Sequence, residues 1–243
     1  MSHLKRLSAP KFWKVRKKLA KWVTSPRPGA HKRNECIPLS VVIRDVLELV
    51  DTGREAKRMV KSGEVLVDGK VRKDHRYPVG FMDVIEIPKL KKAYRFTITY
   101  KDLEIFEVPA KETKLKLCKV RKKSLVKKGV LQLNTNDGRN ILVKVKDPKK
   151  PKEDVYKTGD TILIELPSQK IIEHVKMEKG NLVLITGGQN KGDIATIKEV
   201  IKTRSREPNK LVCEKDKKSF EAIKDYVFVI GSKKPLIEMG VKK

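Results

Sequence analysis

The sequence predicts an α+β protein built from several small domains. These are a basic amino-terminal arm over 1–37, an αα-β-hairpin module over 38–93, a central antiparallel, barrel-like β domain over 94–177, a small β-barrel over 178–231 and a tail over 232–243. Three observations predict this arrangement. Two helical stretches run into an Asp-Gly turn between alternating valines, which marks a helix pair joined to a hairpin. From Tyr94 onward short strand-like runs recur between turn residues, with almost no helical periodicity. Finally, 243 residues with 39% hydrophobic but only 5% aromatic content suit several thin cores better than one thick core.

Charge sets the functional class. Lys and Arg number 58 against 30 Asp and Glu, a net charge of +28 with a pI near 10.0. Such a field opposes the compact state unless an anionic partner neutralises it, and nucleic acid is the expected partner. No apolar run approaches the roughly 20 residues needed to span a bilayer, and Lys and Arg interrupt the amino terminus too often for a secretory signal, so a cytoplasmic protein without a membrane partner is expected. Cys36, Cys118 and Cys213 lie far apart without CxxC spacing, which argues against zinc fingers and disulfide scaffolds and for reduced, buried thiols. His3, His31, His75 and His174 are equally scattered, so they are expected at the surface or facing RNA, with no metal triad.

In the arm, Ser8 and Pro10 precede a stretch carrying Phe12, Val15, Leu19, Trp22 and Val23 at helical spacing, ended by SPRPG. A basic amphipathic helix with aromatic residues suits RNA, an anionic membrane or a helix-binding partner; the second basic module directly after it favours RNA. The candidate contacts here are Lys5, Arg6, Lys11, Trp13, Arg16, Lys17, Arg27, His31 and Lys32.

The module from Pro38 to Pro88 is the centre of the chain. Val42, Val46, Leu49 and Val50 recur at helical spacing after Ser40, a possible cap, and Thr52-Gly53 separates this helix from a second. The second helix places Ala56, Met59 and Val60 on one side and Arg54, Lys57, Arg58 and Lys61 largely on the other. Gly63 stops it, and Val65 and Val67 alternate across Asp68-Gly69 into Val71, a hairpin that carries Lys70, Arg72, Lys73, His75 and Arg76. A polyphosphate, an acidic protein or a membrane could use such a surface, but two neighbouring rigid basic elements suit the spaced phosphates of folded RNA best. A merely solvated face is the plain alternative.

In the central domain the expected strands include RFTITY, LEIFEV, KLKLCKVRKKSLV, GVLQLNT, RNILVKV, DTILIEL and KIIEHVKM. Asp102, Asp137, Asp147, Asp154 and Asp160 fall mostly at turns, where a carboxylate accepts backbone amides, and they do not gather with a nucleophile or base. No active site is expected. The run Lys119–Lys128 reads either as a charged strand edge that blocks aggregation or as a phosphate contact through Lys119, Arg121 and Lys122.

Between Gly180 and Lys202 a strand, the turn TGGQNKG and a second strand follow one another, with Gly187, Gly188 and Gly192 allowing close backbone approach. The turn lacks the GK[ST] ending of a nucleotide-binding P-loop and is followed by Ile194, Thr196 and Ile197 in a strand pattern rather than a helix. Gly188, Asn190, Lys191, Arg204 and Arg206 are its candidate contacts. Tyr226, Phe228 and Ile230 alternate with Val227 and Val229 in a strand apolar on both faces that closes the last barrel, and the tail after Gly231 is expected to need a partner for order.

These motifs carry a resemblance. The helix, TGR turn, KSGEV, VDGK hairpin and GFMDVIEI strand together resemble the S-four RNA-binding domain, and GNL, TGG, NKG and the later VFVIG resemble a KOW motif in an SH3-like barrel. HLKRLSAPK, the ECIPL entry, DGKVR, YPVGFMDVIEI and KLCKVR follow one another as in the E-type small-subunit ribosomal protein four family of archaea and eukaryotes. The resemblance runs from His3 to Pro235, and the short end after VFVIGSKKPLIEMG favours an archaeal version. It implies a ribosome-bound protein that clamps small-subunit ribosomal RNA and meets neighbouring ribosomal proteins, with no cofactor, metal or small-molecule substrate. Two alternatives stand beside it. One is a KOW-containing transcription or translation factor that binds transiently; the other is an RNA-modifying enzyme, for which the chain lacks a patterned catalytic Asp or cofactor loop.

Overall fold

The computed structural model describes residues 3–15, 20–100, 102–126, 129–145, 154–201, 203, 207–216 and 218–240. Strands dominate, helices are few, and the strand pairings described are antiparallel. The chain divides into two compact units, residues 1–97 with 103–114 and residues 98–102 with 115–243.

In the first unit β1 (His3–Lys5) pairs with β2 (Trp22–Thr24). Among the described residues the helix expected through Phe12 and Val23 is absent. Single 3-10 turns at Arg6–Ser8 and Lys11–Trp13 replace it, Lys14 ends the second in the left-handed region at φ 52°, and Trp22 to Thr24 is extended; residues 16–19 lie outside the described set. The physical reason is Trp13. Its ring is buried and its indole N–H donates to the Cys36 carbonyl at 2.9 Å, and burial of so large a side chain outweighs local helical spacing.

β3 (Cys36–Pro38) leads into a short helix α1 (Leu39–Val41) that widens into a π turn over Val42–Val46. Pro38, not Ser40, stands at its cap, and the Ser40 hydroxyl is buried inside the helix. After α2 (Gly53–Lys61) come β4 (Leu66–Val67), β5 (Lys70–Val71), β6 (Pro78–Gly80), β7 (Val84–Ile87), β8 (Lys92–Thr99) and β9 (Asp102–Glu107). β6 pairs with β3, and the remaining strands form one sheet in the order β5-β4-β7-β8-β9. The RFTITY and LEIFEV strands thus extend the hairpin's sheet, and the boundary expected between 93 and 94 falls inside β8. Arg95, fully buried, donates to the Glu112 carboxylate at 3.0 Å and its carbonyl at 2.8 Å, fixing the turn after β9.

The second unit holds β10 (Leu115–Val126), β11 (Val130–Thr135), β12 (Asn140–Lys144), β13 (Thr161–Glu165) and β14 (Ile171–Val175) in the order β12-β11-β10-β13-β14. Cys118, Val120, Leu131, Leu133, Ile141, Ile162, Ile164 and Leu166 form its core. A further sheet follows in the same unit: β15 (Leu182–Ile185), β16 (Ile194–Ile201), β17 (Lys210–Lys215), β18 (Lys218–Ile223) and β19 (Val227–Gly231), ordered β18-β17-β16-β15-β19. Its core includes Val183, Ile185, Ala195, Ile197, Leu211, Cys213, Val227 and Val229, and every residue of β19 is buried, as its two apolar faces require.

The turn carboxylates behave in two ways. Asp160 accepts the amides of Lys157 and Met177 and pairs with the His174 ring at 2.8 Å. Asp137, at the Asn136-Asp137-Gly138 turn, is buried against the equally buried Lys116 ammonium at 3.1 Å and the Arg139 Nε at 2.7 Å. Asp147 lies outside the described residues, and Asp154 pairs with Lys123 at 2.6 Å. The described part of the tail packs back onto the β15–β19 sheet. The Leu236 amide donates to the Ile230 carbonyl at 2.9 Å, and Ile237 and Met239 are buried.

Candidate nucleic-acid interface

The most coherent positive surface is built by α2 and the hairpin. Thr52 caps α2 by accepting the Glu55 amide at 3.2 Å, while the Glu55 carboxylate accepts the Thr52 amide at 3.2 Å, a reciprocal box that satisfies two otherwise orphaned donors. Ala56 and Val60 point into the core, and helical geometry then leaves Arg54, Lys57, Arg58 and Lys61 exposed. Asp68 and Gly69 adopt φ 52° and 70°, the left-handed pair that a tight type I′ hairpin demands. The buried Asp68 carboxylate accepts the Val84 amide at 3.0 Å, which locks the turn to β7.

This frame presents Lys70 and Lys73 to solvent and lays the Arg72 guanidinium over the Tyr77 ring at 4.4 Å. The titration of His75 reports the local field. Burial lowers its pKa first, Lys57 lowers it next, Asp74 opposes, and Arg76 and Lys61 add to the lowering. Two helix cations and Arg76, which follows the hairpin, therefore act on this one side chain.

Other expected contacts divide. Lys5, Lys11, Arg27, Lys32, Arg121 and Lys122 are exposed, with Arg27 3.2 Å from Asp74 and Lys32 3.5 Å from Glu35. Gly188 is exposed at φ 87°, and Asn190 and Lys191 are half-buried beside it. At Gly192 an added Cβ would lie 2.4 Å from the backbone of Thr99 and Tyr100, so this loop position needs glycine for close approach.

Four candidates are internal, because each supplies a bond that the fold requires. Trp13 fills the core. Arg6 is buried and donates to the Trp22 carbonyl at 3.2 Å, its pKa lowered first by burial and then by Arg44. The His31 ring, 6% exposed, meets the Asp83 carboxylate at 2.8 Å; with His174 similarly held by Asp160, two of the histidines expected outside are inside. Lys119 is buried, and its ammonium donates to the carbonyls of Lys224, Asp225 and Val227 at 2.9, 3.1 and 2.8 Å. Arg16, Lys17, Arg204 and Arg206 lie outside the described residues.

A second basic feature was not singled out in the sequence. Ser25, Pro26, Arg27, Pro28, Gly29, His31, Arg33 and Arg76 line an open cleft of about 750 Å³. Arg76 donates through Nε to the Ser25 carbonyl at 2.9 Å, and the Arg27 amide donates to the Arg76 carbonyl at 3.0 Å. Arg33, between Lys32 and the Asn34-Glu35 turn, carried a signal only as one more charge in a basic run. Among the described residues no group of three His, Cys, Asp or Glu side chains is arranged to hold a metal ion, and no helix is long and apolar enough to cross a membrane.

Comparison with known proteins agrees with this organisation. The chain matches the model of Ribosomal family S4e over residues 80–171, the RS4NT (NUC023) domain over 2–34, the S4 domain over 38–85 and the KOW motif over 179–214. It is 46% identical to the small ribosomal subunit protein eS4 of Methanocaldococcus jannaschii, covering 98% of this chain and 97% of that one. Against the protein of the same name from Archaeoglobus fulgidus it is 47% identical, with 98% of each covered. The crystal structure of the 30S ribosomal protein S4e from Thermoplasma acidophilum superposes with a TM-score of 0.67 at 34% identity, covering 82% of this chain and 96% of that one.

Proposed function

The chain belongs to ribosomal family S4e, and from that premise we propose that it is a structural constituent of the small ribosomal subunit that binds and clamps ribosomal RNA. The observation that carries the mechanism is the exposed quartet Arg54, Lys57, Arg58 and Lys61 on a helix whose other side is locked in a core, next to the Asp68-Gly69 hairpin. Cations carried at fixed spacing on a rigid backbone neutralise phosphates and release condensed counterions, so only their side chains are left to order at the moment of binding. Recognition is by shape and backbone, since exposed aromatic platforms near this face are scarce.

In this reading residues 38–93 act as the primary RNA module, and Lys5, Lys11, Arg27 and Lys32 of the arm, Arg121 and Lys122 of the long β10 strand, and the Gly188–Lys191 loop add separate contacts. The sheet from β15 to β19 is read as an SH3-like barrel and the β10–β14 sheet as a barrel-like support, with neighbouring ribosomal proteins and the cytoplasmic ribosome as surroundings. The chain performs no chemistry; it holds RNA helices together.

The test is sedimentation of the full chain with small subunits at rising salt. Retention through a high-salt wash supports a structural constituent, whereas release at moderate salt would fit a transient factor and overturn the proposal.

A further inference from the structure

We propose that the cleft lined by Arg27, Arg33 and Arg76 is a socket for a single unpaired nucleotide splayed out of the bound RNA. The proposal rests on the reading of this chain as an RNA binder and adds where, and in what form, one nucleotide is held.

The three guanidinium groups come from three separate segments, the 25–29 loop, the turn at Arg33–Glu35 and the stretch after the hairpin, yet line one space. Two of them are held by the fold before any ligand arrives. Arg76 is tied to the Ser25 carbonyl at 2.9 Å, and Arg27 lies 3.2 Å from the Asp74 carboxylate, which also accepts the Arg76 amide at 3.0 Å. Arg33 is exposed and makes no ion pair among the described residues. The lining residues include three arginines and no carboxylate; Asp74 offsets Arg27 and Asp83 meets His31, so the site stays cationic, and guanidinium forks match the oxygens of a phosphate.

Charge alone would suit any phosphate. Shape narrows the choice. A cleft of about 750 Å³ lies within the range of roughly 300–1,000 Å³ typical of small-molecule sites and far exceeds what a bare phosphate fills. Pro26 and Pro28 give it apolar walls, and the loop is pressed so closely onto β6 that a Cβ at Gly29 would lie 2.7 Å from Pro78. A paired nucleotide keeps its base inside the duplex and offers only backbone to a protein, whereas an unpaired one can place a base against apolar or guanidinium faces while its phosphate meets the arginines. The convex α2 face suits the duplex backbone; this concave site suits the nucleotide that leaves it.

The experiment uses the full chain and two RNA hairpins of equal phosphate count, one fully paired and one with a single bulged nucleotide. Wild type should prefer the bulged RNA by about tenfold, equivalent to about 1.4 kcal/mol. Arg33→Ala should bring the preference close to one while leaving affinity for the paired hairpin nearly unchanged. Arg58→Ala on α2 should weaken both RNAs by the same factor and preserve the preference. Equal wild-type affinity for the two hairpins, or an Arg33→Ala variant that weakens both equally, overturns the socket and leaves the RNA-binding role standing. Failure of wild type to bind either hairpin overturns that role, and the socket with it.

Discussion

Lys119 shows how one cation can serve the fold instead of a partner. Its sequence neighbours Arg121 and Lys122 are exposed, but Lys119 itself lies on the inner side of β10, where three carbonyls receive its ammonium. Replacing it by Met removes three donated bonds, one of them to the buried Val227 carbonyl, and should cost about 3 kcal/mol in urea denaturation without changing the salt dependence of RNA binding. Loss of RNA affinity at unchanged stability would instead make it a surface contact. Burial lowers its pKa to about 8, against which Asp225 pulls upward, from an ordinary value of 10.5. Between those values the unfolded chain holds more protons than the folded one, so this residue makes stability rise with pH through that window. In Lys119→Met that rise, followed by denaturation at several pH values, should disappear. At this scale the sequence was legible only in part. Charge identifies an Arg or Lys, but whether it ends beside Trp22, as Arg6 does, or in solvent, as Lys5 does, depends on long-range pairing between β1 and β2.

Elements were easier to read where local chemistry and tertiary packing agree. The hairpin was legible because Asp-Gly supplies both left-handed residues and the flanking valines supply the buried face. α2 was legible from its stop at Gly63 and its two-sided pattern, although Thr52 turns out to open it rather than to close the helix before. Thr52→Ala should therefore remove one capping bond and lower stability by about 1 kcal/mol in thermal or urea melts. Reversal of Arg54, Lys57, Arg58 and Arg72 to Glu should leave the fold intact, weaken RNA binding and flatten its slope against salt, measured by filter binding or anisotropy. An unchanged slope would place the contacts on another face. The arm failed as a sequence reading because the spacing of Phe12, Val15 and Val23 is helical by chance, while Trp13 and the extended Val23 are buried and Phe12 and Val15 only partly so. Likewise β8 and β9 resemble the strands after them, and nothing local says that they add to the sheet of β4 and β7.

At the scale of the molecule, a net charge of +28 leaves many cations that no carboxylate of the chain can match. RNA affinity should fall steeply and linearly on a log-log plot against salt, with a slope near −0.9 for each duplex phosphate neutralised. A shallow slope would mean that few of the exposed cations meet phosphates. The excess of cations, which suits an RNA partner, was legible from composition. The arginine cleft was not, because Arg76 lies more than forty residues from Arg27 and Arg33 and is brought to them only by the fold.

The three cysteines give this architecture its own internal gauge. Cys36 lies in the first unit, Cys118 in the core of the β10–β14 sheet and Cys213 in that of the β15–β19 sheet, all three buried as free thiols. Burial pushes Cys36 up to about 12 and Cys213 up to about 11, so neither offers thiolate near neutrality. Alkylation at pH 8 should be negligible in the native protein. In graded denaturant, mass spectrometry of the labelled peptides should then reveal the sequence in which the separate interiors come undone.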